Sequence, residues 1–329
     1  MRMKQSGAVR WALAAAALAV VAVSLPARAS ATKIAVVEWN EAEPRYGAQA
    51  RKMIADLQKN GIPSSDVSVQ YFDGHGDKAK MEEAVKQAMA THPDLYGALG
   101  TSAVVPLAKA VTDKPIIFDV VYDPIGAKVA QSWVNPGRNA TGGSNFVSIS
   151  AFLHRLVKRS SLKVKTVEVL YAIGEKNAEL ELDEVKSAEA DLNIKVIGTS
   201  LKTKEEAKKW ANDLAKNKPD MIVLTGANAI GTNIDPIIES ANKNKVMTVT
   251  HLEDLVKRGA LYGLVADLDE VSGIASKAMA RVIKGESPSN IGIEYPLPKL
   301  LINKETAQSG GFVIPDTLKE WAAGSSASR

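Results

Sequence analysis

The sequence predicts an α/β protein of two doubly wound parallel-sheet lobes joined by hinge crossings. Three observations carry this. Short apolar, β-rich runs alternate with segments of helical periodicity. The alternation runs once before residue 145 and starts again after it. A local repeat links the halves: HPDLYGALGTSA (92–103) and KPDMIVLTGANA (218–229) share Pro-Asp, an apolar run, Gly and Ala in register.

In order, KIAVVEW (33–39) is a strand, and Tyr46, Ala50, Met53, Ile54 and Leu57 mark a helix from Arg45 that stops at Asn60-Gly61. VSVQYF (67–72) is a strand, and Asp77 caps a helix running to His92. LYGALG (95–100), a helix over 102–112 and PIIFDVV (115–121) follow. PGRNATGGSN (136–145) reads as a loop or crossover. The second half has strands at 166–172, 195–201, 221–226 and 246–251, with helices at 177–192, 204–216 and 234–243. ALYGLVA (260–266), a helix over 271–284 and IEYPLP (293–298) are too few for a third domain and are expected to complete the first lobe. The segment 312–321 is expected to pack on the second, and the tail 324–329 to fray. Lobe 1 is thus 30–145 plus about 258–300, and lobe 2 is 146–257 plus about 301–323.

Residues 1–29 read as an export signal. Arg2, Lys4 and Arg10 precede an apolar run from Trp11 to Leu25, and Ala27-Arg28-Ala29 supplies small-x-small, so cleavage is expected near Ala29. The run is shorter than the ~20 residues that span a bilayer, and no later stretch reaches ~18 apolar residues. With no cysteine in the chain there is no thioether lipid anchor. The mature protein is expected to be a diffusing periplasmic monomer without a direct membrane anchor.

The chain has 41 Lys and Arg against 37 Asp and Glu. Four of those bases lie in residues 1–29, which hold no acid, so 37 bases face 37 acids in the rest. A neutral body lacks the electrostatic footprint for nucleic acid. Zero cysteines exclude thiol chemistry. Enzyme motifs fail on context. Gly74-His75-Gly76-Asp77-Lys78-Ala79 follows the second strand rather than the first. Gly100-Thr101-Ser102-Ala103-Val104 lacks the final Gly of a nucleophile elbow. The four histidines form no i, i+4 pair for zinc. No catalytic residue, metal or cofactor is expected.

Open parallel sheets bind ligands beyond the carboxyl ends of their strands, and two lobes facing there make a cleft. Thr101 and Ser102 could hold an anionic end at a helix start, or simply cap it. Trp39 could stack on a flat ligand or cover the core edge. Glu38 and Glu41 could pair with an ammonium or stay solvated. Asp123 could face the cleft or open a turn. Ser144 and Asn145 end the crossover. Glu175, Asn177 and Asn228 hold second-lobe turns, as contacts or as caps. His251 ends a strand where it could touch a polar ligand.

GTSAVVPLAKAVTDKPIIFDVVYDPIGAKVAQSWVNPGRNATGGSN (100–145) resembles the ABC-transporter substrate-binding family that includes tryptophan- and tyrosine-type binding proteins. It is similar to that family's G-T-x-A segment, P-I-V-F strand, D-P turn and P-G-G-N-x-T-G-x-S crossover. KRGAL (257–261), KGESP (284–288) and INKETAQSGGFVIP (302–315) extend the match. Arg138 replaces a second Gly, Glu43-Pro44 replaces His-Pro, and the usual Asp before Asn228 is missing. The resemblance implies the type I periplasmic-binding-protein fold and delivery of a small solute, such as an amino acid or related carboxylate, to an inner-membrane ABC permease. A ligand-sensing module reporting to a membrane receptor is the alternative.

Overall fold

The computed structural model describes residues 30–327. The export-signal reading lies outside the described residues. Among these residues no helix is long and apolar enough to cross a membrane.

Two sheets organise the chain. The first contains β1 (Thr32–Glu38), β2 (Val67–Asp73), β3 (Leu95–Leu99), β4 (Ile116–Val121) and β5 (Ala140–Ser144). Its order is β2-β1-β3-β4-β5, and every pair is parallel. Helices α1 (Gly47–Ala55), α2 (Lys78–Ala90) and α3 (Thr101–Ala110) connect its strands. Asp77 caps α2 by accepting from Lys80 N at 2.9 Å.

The second half opens with α4 (Ile149–His154), which runs into a π-helical turn over Arg155–Arg159. Next come β6 (Thr166–Tyr171), α5 (Lys176–Ser187), α6 (Glu189–Leu192), β7 (Lys195–Ser200), α7 (Lys204–Asp213) and β8 (Met221–Leu224). Then follow α8 (Asn228–Thr232), α9 (Ile234–Lys243), β9 (Met247–Thr250), α10 (Glu253–Lys257) and β10 (Tyr262–Val265). The chain closes with α11 (Leu268–Ile283), β11 (Lys299–Ile302), α12 (Lys304–Gly310) and α13 (Asp316–Ala327). The second sheet has the order β11-β10-β9-β8-β6-β7, antiparallel only at β10–β11. From β6 to β10 this repeats the order of the first sheet. β3 and β8, the paired segments of the sequence repeat, are therefore equivalent third strands.

Three expectations are corrected. Residues 140–144 form a strand rather than a loop. Its glycines allow backbone approach: at Gly142, with φ +154°, a Cβ would lie 1.9 Å from Phe118 O. Residues 260–266 do not return to the first lobe, because β10 pairs in parallel with β9 through Tyr262 and Gly263. The apolar β10 is buried on both faces there, as an interior strand requires. α11 does return, packing on α1, β4 and β5. The segment 293–298 yields only one bridge, Gly143 to Glu294, before β11 joins the second sheet. The last helix, α13, runs to Ala327. Its Trp321 packs edge-on to Phe152 at 5.9 Å in the second lobe.

The chain passes between the lobes three times: after Ser144, after Ala266 and after Glu294. The crossings are tied together. Ser144 N donates to Glu294 O at 2.9 Å, and Lys299 pairs with Asp267 at 2.8 Å.

Candidate functional site

Both sheets point their carboxyl ends at one cavity. It holds about 20 Å³ and is lined by Arg45, Tyr46, Thr101, Ser102, Val120, Tyr122, Asn145, Asn177, Gly226, His251 and Leu252. Each residue ends a strand or opens the segment after it: β1, β3, β4 and β5 on one side, β6, β8 and β9 on the other. The cavity therefore sits across both topological switch points, between β1 and β3 and between β6 and β8. A larger cleft of about 590 Å³ adjoins it, and Arg45, His251 and Leu252 wall both.

Gly100 starts the α3 wall. Its φ of +90° favours glycine, and a Cβ there would lie 2.7 Å from the Tyr46 ring. That close approach seats Tyr46 on the turn and leaves Thr101 and Ser102 at the positive end of α3. Thr101 Oγ1 accepts from Tyr122 N at 3.4 Å. Burial pushes the Tyr46 hydroxyl up to about 12, against the pull of Arg45. Arg45 is buried and sits 2.6 Å from Glu43. Desolvation works against its charge, but Tyr46, Glu43 and Asp254 outweigh it, and its pKa is raised.

β4 ends irregularly. Its register with β5 shifts between Phe118 and Val121, and Val120 has φ +55°. A β-branched residue in that region is strained, and such strain concentrates at functional sites. Here it delivers Tyr122 from the first sheet into the second core. The Tyr122 hydroxyl donates to Val147 O at 2.9 Å and lies 2.6 Å from Glu184 Oε2, and burial raises its pKa well above the usual tyrosine value. Its ring lies 5.0 Å from that of His251. His251 Nδ1 is 3.3 Å from Glu181 Oε2, without the geometry of a hydrogen bond. Both Glu181 oxygens accept from Gly226 N, at 3.1 and 3.0 Å.

Of the residues singled out in the sequence, Thr101, Ser102, Asn145, Asn177 and His251 meet in the cavity. Asn145 is buried, and its Oδ1 has no hydrogen-bond partner. Asn177 Nδ2 donates to Gly226 O at 3.0 Å. Ser144 lies beneath the cavity, its Oγ 2.7 Å from Val121 O, to which it donates, and 3.0 Å from Tyr122 O, and so braces a crossing. Glu175 accepts from Asn228 N at 2.6 Å and Ala229 N at 3.2 Å, holding the start of α8; burial raises its pKa against those bonds. Asn228 lies at the seam between lobes, where a Cβ on Gly76 would come within 3.2 Å of its Nδ2.

Three expected contacts lie elsewhere. Glu38 Oε1 accepts from the Arg51 guanidinium of α1 at 2.7 Å, while its Oε2 is buried without a partner; burial raises its pKa. Trp39 is buried in the first core. Asp123 Oδ1 accepts from Ile125 N at 3.0 Å and Gly126 N at 2.8 Å, which is the turn role. Sequence reasoning missed Arg45, Tyr46 and Glu181 as site groups. Glu181 had a usable signal, since it follows Asn177 by four residues on one helix face.

The family model for ABC transporter substrate binding protein matches residues 33–325. The chain belongs to this family. Its members bind solutes and are not enzymes. The chain is 24% identical over 268 residues to a tyrosine-binding protein of Clostridioides difficile, covering 81% of this chain and 77% of that one. A structure from Streptococcus pneumonia, an ABC domain in complex with L-Trp, superposes with a TM-score of 0.79 at 25% identity, covering 89% of this chain and 99% of that one. A conserved domain protein from Vibrio cholerae superposes with a TM-score of 0.81 at 25% identity, with the same coverage. Among the described residues, no group of three or more His, Asp and Glu is arranged to hold a metal ion.

Proposed function

We propose that this substrate-binding protein is the periplasmic component of an ABC importer, exported by residues 1–29 and cleaved near Ala29. It works as a monomer that closes its lobes on a small organic solute, an amino acid or related carboxylate, and presents it to an inner-membrane permease. The observation that carries this reading is the convergence of strand ends from both sheets on one cavity. On one side stand the α3 start and the hydroxyls of Thr101 and Ser102, suited to a carboxylate. On the same side, at the end of β5, the orphaned Asn145 Oδ1 calls for a donor such as an ammonium. Asn177 and the Glu181–His251 pair complete the polar lining. A cavity of about 20 Å³ holds roughly one water, so a solute enters only when the lobes part. A contact made to both lobes at once favours closure.

The test is native mass spectrometry of the protein from its own host, followed by a thermal-shift screen of amino acids. A solute at ~100 times its Kd adds about 2.7 kcal/mol of stability. Turnover of a bound metabolite would refute the reading. An unchanged melting temperature with every amino acid would refute the ligand class.

A further inference from the structure

A second concavity of about 580 Å³ lies in the second lobe, away from the cleft. Its floor is Phe152, Leu264 and Trp321, and its rim carries His154, Arg155, Lys158 and Arg159. The π-helical turn over Arg155–Arg159 gathers these four bases round one groove, and π-turns recur at functional sites. Arg155 is stacked 3.8 Å over the Trp321 ring, which fixes its guanidinium. None of Arg155, Lys158 and Arg159 has an ion-pair partner among the described residues. Asp191 stands 3.9 Å from His154, and Glu320 lines the adjoining hollow. In a body whose charges balance, this is a local excess of positive charge over a partly apolar floor.

We propose that this groove docks the ABC permease, receiving an acidic segment of its extracytoplasmic face that carries one apolar side chain. The inference rests on the importer reading above. Charge complementarity selects an acidic occupant. Concavity favours an inserted protein side chain over a flat lipid surface. A hydrogen-bonded link to the cleft selects a partner that senses the bound state. Ser150 lines the groove and donates to Glu184 Oε1 through its N at 3.2 Å and its Oγ at 3.1 Å. The other oxygen of Glu184 meets the Tyr122 hydroxyl, and Tyr122 lines the solute cavity.

The test reconstitutes the host's permease–ATPase complex in nanodiscs and titrates it with the protein carrying its co-purified solute. The double reversal Lys158→Glu with Arg159→Glu leaves solute-dependent melting unchanged. It raises the half-activating protein concentration about tenfold or more, and the wild-type value rises with salt. Arg155→Glu, which also unstacks Trp321, has at least the same effect. Lys208→Glu, on another exposed face, has none. Stimulation that survives the double reversal overturns the docking alone. So does binding to phosphatidylglycerol vesicles that the reversal abolishes while ATPase activation stays intact. If the wild-type protein gives no solute-dependent stimulation, the importer reading falls and the docking with it.

Discussion

Asp119→Asn is expected to flatten a pH dependence that the wild type carries in its first lobe. Asp119 is fully buried at the end of β4, and burial pushes its carboxyl from 3.8 up to about 7. The hydrogen bonds agree with a protonated acid. Ser272 Oγ lies 2.7 Å from Asp119 Oδ2 and 2.6 Å from Gln49 Oε1, yet a hydroxyl has one proton. Gln49 Nε2 points to Asp269, which leaves its oxygen to accept from Ser272. Ser272 must then accept from Asp119. Between about pH 4 and 7 the folded state keeps a proton that the unfolded chain has released. Stability therefore falls as pH rises through that window, by roughly 4 kcal/mol at ~1.4 kcal/mol per pH unit, and stays low above it. An asparagine amide donates to Ser272 without titrating. Urea unfolding of both proteins at about pH 4.5 and about pH 7.5 checks this, because other titrations cancel in the difference. The variant should match wild type at the lower pH and exceed it by several kcal/mol at the higher. A difference independent of pH, or a variant weaker at about pH 7.5, would show that burial does not hold a proton on Asp119 across that window and refute the reasoning.

Four further substitutions probe the site and its frame. Tyr122→Phe strips Val147 O and Glu184 of a buried donor and should cost about 1–3 kcal/mol in urea unfolding; an unchanged midpoint would mean the hydroxyl bonds contribute nothing. Gly142→Ala forces a Cβ into Phe118 O and should lower stability by more than ~4 kcal/mol or abolish soluble expression. Gly174→Ala has φ +96° but nothing within 4 Å, so its melting temperature should fall only by the equivalent of about 1 kcal/mol. Thr101→Val keeps the shape of the α3 start and removes a hydroxyl from the cavity. Calorimetry with the co-purified solute should show Kd rising about tenfold, and the Tyr122 N–H left without its acceptor should lower the melting temperature of the free protein by the equivalent of about 1 kcal/mol.

The lobes were legible because parallel strands buried on both faces leave unbroken apolar runs, and KIAVVEW and MIVLTG could be little else. β5 was not, because Ala-Thr-Gly-Gly-Ser has the composition of a turn. It is a strand only because Phe118 and Val271 crowd its backbone too closely for side chains. β10 was read correctly as a strand but placed in the wrong lobe, since nothing in its residues encodes which sheet edge is open. The loops of the site were legible from topology alone. The residue that faces the cleft within each loop was not. Glu38 and Asp123 sit at the right strand ends, yet Arg51 and the Ile125–Gly126 amides each already engage one of their carboxylate oxygens. Tyr46 shares the apolar spacing that marks the first helix and carries no polar signal of a site, yet the turn at Gly100 makes it a wall of the cavity.

The polar groups that the fold leaves unpaired bear on how the proposed closure would be driven. Most buried polar atoms near the cleft are satisfied within one lobe, as Ser144, Asn177 Nδ2 and Glu175 are. Asn145 Oδ1 in the cavity and Asn228 Oδ1 at the seam are buried without partners when the lobes lie together. An orphaned buried acceptor costs about 1–3 kcal/mol, a cost that parting the lobes relieves by admitting water. A solute that donates to Asn145 removes the same cost without opening the protein. The preference for closure that it gains is then about 5–150-fold from that one bond, enough to couple occupancy to shape without any change in the lobes themselves. Asn145→Leu tests this directly, since a side chain of similar size with no acceptor should favour the closed form without solute. Small-angle scattering should then show the solute-free variant as compact as the loaded wild type, and a variant that stays as extended as the free wild type would refute the idea.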